Sequence, residues 1–139
     1  MKIILPIIFL IIFNYKSFAE GVWFPTNKPN CEIWNPQPQD NESAFWSGEC
    51  LDGKAHGKGA LTWKFKKNGK FIMRLVEGEM KNGRREGKIK ITYENGDIYI
   101  GELNENGNRH GQGKYIYSNG KVKEGVWEDG KMISQSKPI

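Results

Sequence analysis

From Phe45 onward, large apolar residues alternate with polar ones in short runs that are separated by glycine-containing polar clusters. A half-buried β-strand requires that alternation, because successive side chains leave opposite faces of the pleat. Two positions before and after Gly48 stand Trp46 and Cys50; Val76 and Met80 flank Gly78 in the same way, and Tyr99 and Leu103 flank Gly101. Lys123 and Trp127 flank Gly125, so the last run should end on a frayed or polar edge. Leu61 and Trp63, then Ile89, Ile91 and Tyr93, then Tyr115 and Tyr117, line one face of the partner strands. A glycine between two large inward residues leaves room for a neighbour's ring to lie against bare backbone. No segment shows a convincing amphipathic helical period, and the chain reads as all-β.

The runs are also a repeat. Aligned on Gly48, Gly78, Gly101 and Gly125, the intervals are 30, 23 and 24 residues. A second glycine follows at Gly53, Gly83, Gly107 and Gly130, and a third at Gly57, Gly87 and Gly111. Asn68-Gly69, Asn95-Gly96 and Asn119-Gly120 then close each unit. Asn-Gly between strand-like runs predicts a β-hairpin with a type I′ turn, which needs positive φ at both central residues. The long first interval carries its surplus on both arms of one hairpin, through Phe65, Phe71 and Met73, so that hairpin is longer and the repeat is unbroken.

Ahead of the repeats, residues 20–43 hold Pro25, Pro29, Pro36 and Pro38 among several asparagines. Proline fixes φ and removes a backbone donor, so this leader should be extended or turned. Its aromatics Trp23, Phe24 and Trp34 predict that it folds back as a cap over the end of the next unit. Residues 1–19 differ again: Met1-Lys2, a continuous apolar run from Ile3 to Phe13 broken by Pro6, and Ser17-Phe18-Ala19 before Glu20. That order is the anatomy of a secretory signal cleaved after Ala19. Eleven apolar residues at ~1.5 Å each span about half a bilayer core. The expected organisation is therefore a signal at 1–19, a leader cap at 20–43, repeats at 44–133 and a flexible tail at 134–139, in a protein secreted or periplasmic.

Export gives the two cysteines their meaning. An even count in an oxidising compartment favours one disulfide, between Cys31 and Cys50. It would close a loop of about twenty residues and contribute on the order of 3 kcal/mol in the chain-entropy account. A metal site would need further Cys or His at ligand spacing, which the sequence lacks.

Composition narrows the function classes. The chain has 139 residues with 21 Lys+Arg against 16 Asp+Glu, a net charge of +5 that falls by two once Lys2 and Lys16 are removed. That balance is too mild for the basic stripe of a duplex-binding protein, so no nucleic-acid partner is expected. The densest charge is Lys81, Arg84, Arg85, Lys88 and Lys90, a candidate anion-binding patch for lipid headgroups or an anionic polymer. Solvated strand surface is the simpler account of it. His56 and His110 each precede a repeat glycine, and Glu86 fills the matching position of the middle unit, so the repeat explains both. Gly48 to Gly53-Lys54-Ala55 and Gly125 to Gly130-Lys131-Met132 approach a phosphate-binding loop. Both lack its Ser/Thr hydroxyl and its following helix. No Gly-x-Ser-x-Gly elbow is present.

Phe45-Trp46-Ser47-Gly48-Glu49-Cys50-Leu51-Asp52-Gly53-Lys54-Ala55-His56-Gly57-Lys58-Gly59 resembles a MORN repeat, whose usual form is close to Tyr-x-Gly-x-Trp-x-x-Gly-x-x-His-Gly-x-Gly. Tyr99-Ile100-Gly101-Glu102 through His110-Gly111-Gln112-Gly113 is similar, with one extra residue near Asn106. Val76 to Tyr93 matches more loosely, and Glu124 to Met132 resembles a half repeat. The leader's Cys-x-x-Trp-Asn-Pro looks like that of exported bacterial proteins of this type. The resemblance implies a short, solenoid-like antiparallel sheet of consecutive hairpins. It also implies scaffolding or protein–protein contact, in some members attachment to acidic phospholipid, and no reaction or cofactor.

Three functions follow as expectations. The first is an exported, non-enzymatic module presenting a surface to a protein partner. The second is a peripheral binder of anionic lipid or envelope polymer through the basic hairpins. The third is a small secreted hydrolase. Open sheet ends add self-association through an edge strand. A thiol titration of the unreduced, denatured protein should find no free thiol; two free thiols would exclude the Cys31–Cys50 bridge.

Overall fold

The computed structural model describes residues 20–136; the expected signal at 1–19 and residues 137–139 lie outside them. Within the described residues there are eleven strands and no helix. They are β1 (Val22–Pro25), β2 (Glu32–Asn35), β3 (Asp40–Trp46), β4 (Glu49–Leu51), β5 (Lys54–Lys67) and β6 (Lys70–Lys81). Then follow β7 (Arg84–Thr92), β8 (Ile98–Leu103), β9 (Arg109–Ile116), β10 (Val122–Glu128) and β11 (Lys131–Gln135). From β5 to β11 each strand pairs antiparallel with the next, so the repeats form one open sheet of consecutive hairpins. β3 and β4 pair with the two halves of β5 on its other side. The long hairpin is β5–β6, whose register runs unbroken from Gly57↔Met80 to Lys67↔Lys70.

The turns fall into two classes where the sequence predicts one. Asp52-Gly53, Asn68-Gly69, Asn82-Gly83 and Asp129-Gly130 have positive φ at both residues, the I′ geometry of two-residue hairpins. Around Asn95-Gly96 and Asn119-Gly120 only the glycine is left-handed. There the amides of Gly96 and Gly120 donate to the carbonyls of Tyr93 and Tyr117, at 3.0 and 2.9 Å, in three-residue loops. The asparagine side chain decides the difference: Asn95 and Asn119 accept from the amides of Asp97 and Lys121, at 3.0 and 2.9 Å. That bond holds them right-handed. The loop at Asn104–Asn108 is of the same kind, and the extra residue at Asn106 is what lengthens it.

The core occupies one face. Trp46, Leu61, Trp63, Val76, Met80, Ile89, Ile91, Tyr99 and Trp127 are buried there, with Trp46 and Tyr99 fully enclosed. Gly48, Gly59, Gly101 and Gly113 do accept rings, though from Trp46 or Tyr99 of their own unit and not from a neighbouring one. A Cβ on Gly101 or Gly113 would lie 2.5 or 2.6 Å from the Tyr99 hydroxyl oxygen, and one on Gly48 or Gly59 would strike the Trp46 ring. Each ring is also tied at its far end. Tyr99 Oη donates to the Glu102 carbonyl at 2.8 Å, and Trp46 Nε1 donates to the Glu49 carbonyl at 2.8 Å. Cys50 is exposed, against the expectation that it faces inward, because a bend at Ser47-Gly48 breaks the phase between β3 and β4. It is joined to buried Cys31, with the Cα atoms 5.8 Å apart.

The leader is a strap that reaches well past the end of one unit. β1 and β2 form a hairpin, and β2 meets β5 through a single parallel pairing, Glu32↔Lys54. From there the chain runs along the row of turns. The amide of Glu32 donates to the Gly53 carbonyl at 2.9 Å, that of Trp34 to Gly83 at 2.8 Å, and Gln37 Nε2 to Asn106 at 2.7 Å. Tight turns leave carbonyls unpaired, and three successive units offer them to the strap. Strand pairing with β5 begins at Asp40, before the boundary expected at residue 44. At the other end, the tail expected from residue 134 starts inside β11, since Ser134 and Gln135 pair with Val126 and Gly125.

Asp97 is buried where the β7–β8 loop meets β9. It accepts from Tyr115 Oη at 2.7 Å, the Ser118 amide at 2.8 Å and Asn95 Nδ2 at 3.1 Å. These bonds, the one from Tyr115 first, hold its carboxyl below the ordinary range. Burial and the bond to Asp97 push Tyr115 up to about 12, so the phenol remains a donor well past neutrality. A depressed carboxyl contributes stability that is present above its unfolded value and lost as pH falls through its folded value. Asp97→Asn should therefore melt below the wild type at neutral pH. The gap should close on acidification below about 3.9; a gap independent of pH would contradict the assignment. Gly101→Ala should cost about 1–3 kcal/mol in denaturant unfolding, the range for overpacking a filled core. A neutral result would show that Tyr99 is not seated on that backbone.

Candidate functional site

Three features compete for the site, and the five basic residues are the first. They do not all share a surface. Arg85 pairs with buried Met80 and faces the core side, whereas Lys81 stands across from Arg84 and Lys90 from Glu77 on the other side of the sheet. The Arg84 guanidinium lies 4.3 Å from the Trp34 ring and 5.5 Å from the Trp23 ring, clamping the strap to the Asn82-Gly83 turn. Lys54 works beside it, 3.8 Å from the Trp23 ring centre and 2.5 Å from Glu32. Lys90 is paired with Glu77 at 3.2 Å on the outer face. Lys81 and Lys88 are exposed, and Lys88 adjoins Glu79 and Glu86. Arg85 lies opposite Met80 and points to the inner face.

That inner position is the second feature. Between strap residues 35–42 and the core face is a cavity of about 150 Å³. Trp63, Phe65 and Ile91 form apolar walls, and Arg74, Arg85 and Glu42 supply the charge. The Arg74 guanidinium sits 5.2 Å from the Phe65 ring and 5.4 Å from the Tyr93 ring. Nε of Arg85 is sealed from solvent and has no hydrogen-bond partner. Burial, and secondarily the charge of Arg74, lower the Arg85 pKa to about 10, so it stays cationic at neutral pH. Glu42 is raised by burial, offset by the bond it accepts from Asn35 Nδ2 at 2.7 Å.

The third feature is a row of side chains across the outer face. The register aligns Phe45, Thr62, Leu75, Thr92, Ile98, Ile116 and Val122 on seven adjacent strands. Phe45 is 57% exposed and Val122 43%, while the residues between them are partly covered by their neighbours. The next row, Glu77, Lys90, Ile100, Lys114 and Glu124, is mostly charged. Sequence alternation marks each of these residues as outward, but which ones stand side by side depends on the bulges, which it does not reveal.

The remaining candidates stay apart. His56 on β5 faces Glu49 and His110 on β9 faces Glu102, four strand spacings from each other, or roughly 19 Å. Among the described residues no cluster of three or more His, Cys, Asp or Glu could hold a metal ion. Gly53-Lys54 and Gly130-Lys131 lie at hairpin turns that lead into β5 and β11, so neither near-match to a phosphate loop precedes a helix.

Residues 46–64, 77–98 and 99–122 each match the MORN repeat family model. Each match covers a strand, a tight turn and the returning strand, so the family's unit coincides with the physical one. The chain is a MORN-repeat protein. No curated protein matches it. MORN repeats are generally binding or scaffold modules, and the half unit of β10 and β11 falls, after Val122, outside the matched repeats.

Proposed function

We propose that this MORN protein is an exported, non-enzymatic module whose outer sheet face docks a protein partner. The seven-strand row from Phe45 to Val122 carries the reading. It is apolar apart from two threonines and bordered by a charged row, and no other described element covers it. Interface cores have that composition, apolar in the middle and charged at the rim. The order of residues 1–19 supports export, and the bridged Cys31–Cys50 pair fits an oxidising compartment.

The lipid reading has one observation of its own. Phe71 and Met73 are 60% and 58% exposed near the tip of the long hairpin, and Lys64 Nζ lies 4.6 Å from the Phe71 ring centre. Lys66, Lys67 and Lys70 surround that tip, an arrangement that can rest on an anionic membrane surface.

A photo-crosslinker placed at Ile116 should trap a discrete product in the native envelope, and Leu75→Lys with Ile98→Lys should abolish it while near-UV dichroism is unchanged. Trapping that survives the double substitution would remove the outer face from the account. A product of twice the chain mass would assign the face to self-association. Retention on acidic vesicles that disappears in salt would favour the hairpin tip, and equal retention on neutral vesicles would eliminate it.

A further inference from the structure

We propose that the cavity beneath the strap is a binding site for a carboxylate on a short apolar stem, with Arg85 and Arg74 as its anion-binding groups. This site is separate from the outer face and does not depend on the reading given to it.

The argument starts from a cost. A guanidinium presents five donors in a planar fork, and enclosing one without an acceptor forfeits hydration with nothing in return. Arg85 bears that cost at one donor: the residue is partly buried, its Nε is sealed and unbonded, and among the described residues no carboxylate stands within ion-pair distance of it or of Arg74. Placing a second guanidinium in the same cavity increases the repulsion, and Glu42, the one acid on the wall, accepts from Asn35 and is paired with neither guanidinium. The charge balance of Arg74, Arg85, Lys67 and Glu42 leaves the cavity positive. Two planar forks match the two oxygens of a carboxylate.

The walls specify the rest of the ligand. Trp63, Phe65, Val76 and Ile91 give the core side of the cavity an apolar wall against which an apolar stem behind the carboxylate can lie. A volume of about 150 Å³ admits a ring or a branched chain and excludes a folded domain or a polymer strand. Arg74 is already held between the Phe65 and Tyr93 rings, so its fork is oriented before the ligand arrives.

Two sources share this chemistry: a free small acid, or the terminal carboxylate of a peptide ending in an apolar residue. The test titrates the folded protein with benzoate, with benzamide, with a peptide ending in Ala-Leu as the free acid and as its amide, and with inorganic phosphate. The Nε–H resonance of Arg85 is followed throughout. Benzoate or the free-acid peptide should shift that resonance saturably, and their relative affinity identifies the source; benzamide and the amidated peptide should not shift it. Arg85→Met should weaken binding about 10-fold or more. It should also leave the protein without added ligand at least as stable as the wild type, because it removes a sealed donor that has no partner. No saturable shift with either acid, a larger response to phosphate, or equal affinity in Arg85→Met would overturn the proposal. So would a clearly less stable Arg85→Met, which would make Arg85 a structural strut.

Discussion

The contact on which this fold rests is an aromatic ring seated on a pair of bare glycines. Tyr99 covers Gly101 and its cross-strand partner Gly113, and Trp46 does the same over Gly48 and Gly59. A sheet this open has a single buried face, and it needs large side chains there that lie flat. Any Cβ beneath the ring would lift it, unsealing the core and breaking the hydrogen bond at its far end. Gly78 repeats the device with Ile89 in place of a ring. The glycine frame of the sequence is thus a packing requirement in its first position and a turn requirement in its second.

The strap follows from the same geometry. Repeating hairpins present their turns in a row along one side, each with unpaired backbone carbonyls, and a chain rich in proline and asparagine can run beside them. Asn30 and Asn41 take left-handed backbone, Asn27 Oδ1 accepts from the Trp46 amide at 2.7 Å, and the bridge from Cys31 to Cys50 fixes the start. Arg84 and Lys54 hold the aromatics of the strap, so part of the basic charge is engaged within the molecule. The inner cavity exists because the strap stands off the core face between Asn35 and Glu42.

Much of this was legible in the residues. Period-two alternation, the glycine frame, the longer first hairpin and the pairing of two cysteines all follow from local chemistry. The unread parts turn on register. Whether Asn95-Gly96 closes a two- or three-residue loop depends on a side-chain bond that the dipeptide does not display. Arg84 and Arg85 look alike in a run of basic residues, yet adjacent strand positions face opposite ways, and the Gly87 bulge resets the phase beyond them. The outer row from Phe45 to Val122 joins residues up to 77 positions apart, which no local pattern could align. The path of the strap was hidden because prolines say that a segment is extended, not where it lies.

The most direct test of the account is the proximity of ring and glycine protons in solution. Nuclear Overhauser spectra of the folded protein should show strong contacts from the Tyr99 ring to the α-protons of Gly101 and Gly113, and from the Trp46 ring to those of Gly48 and Gly59. Rings that instead show their main contacts to side chains of a neighbouring unit, with none to these glycines, would contradict it.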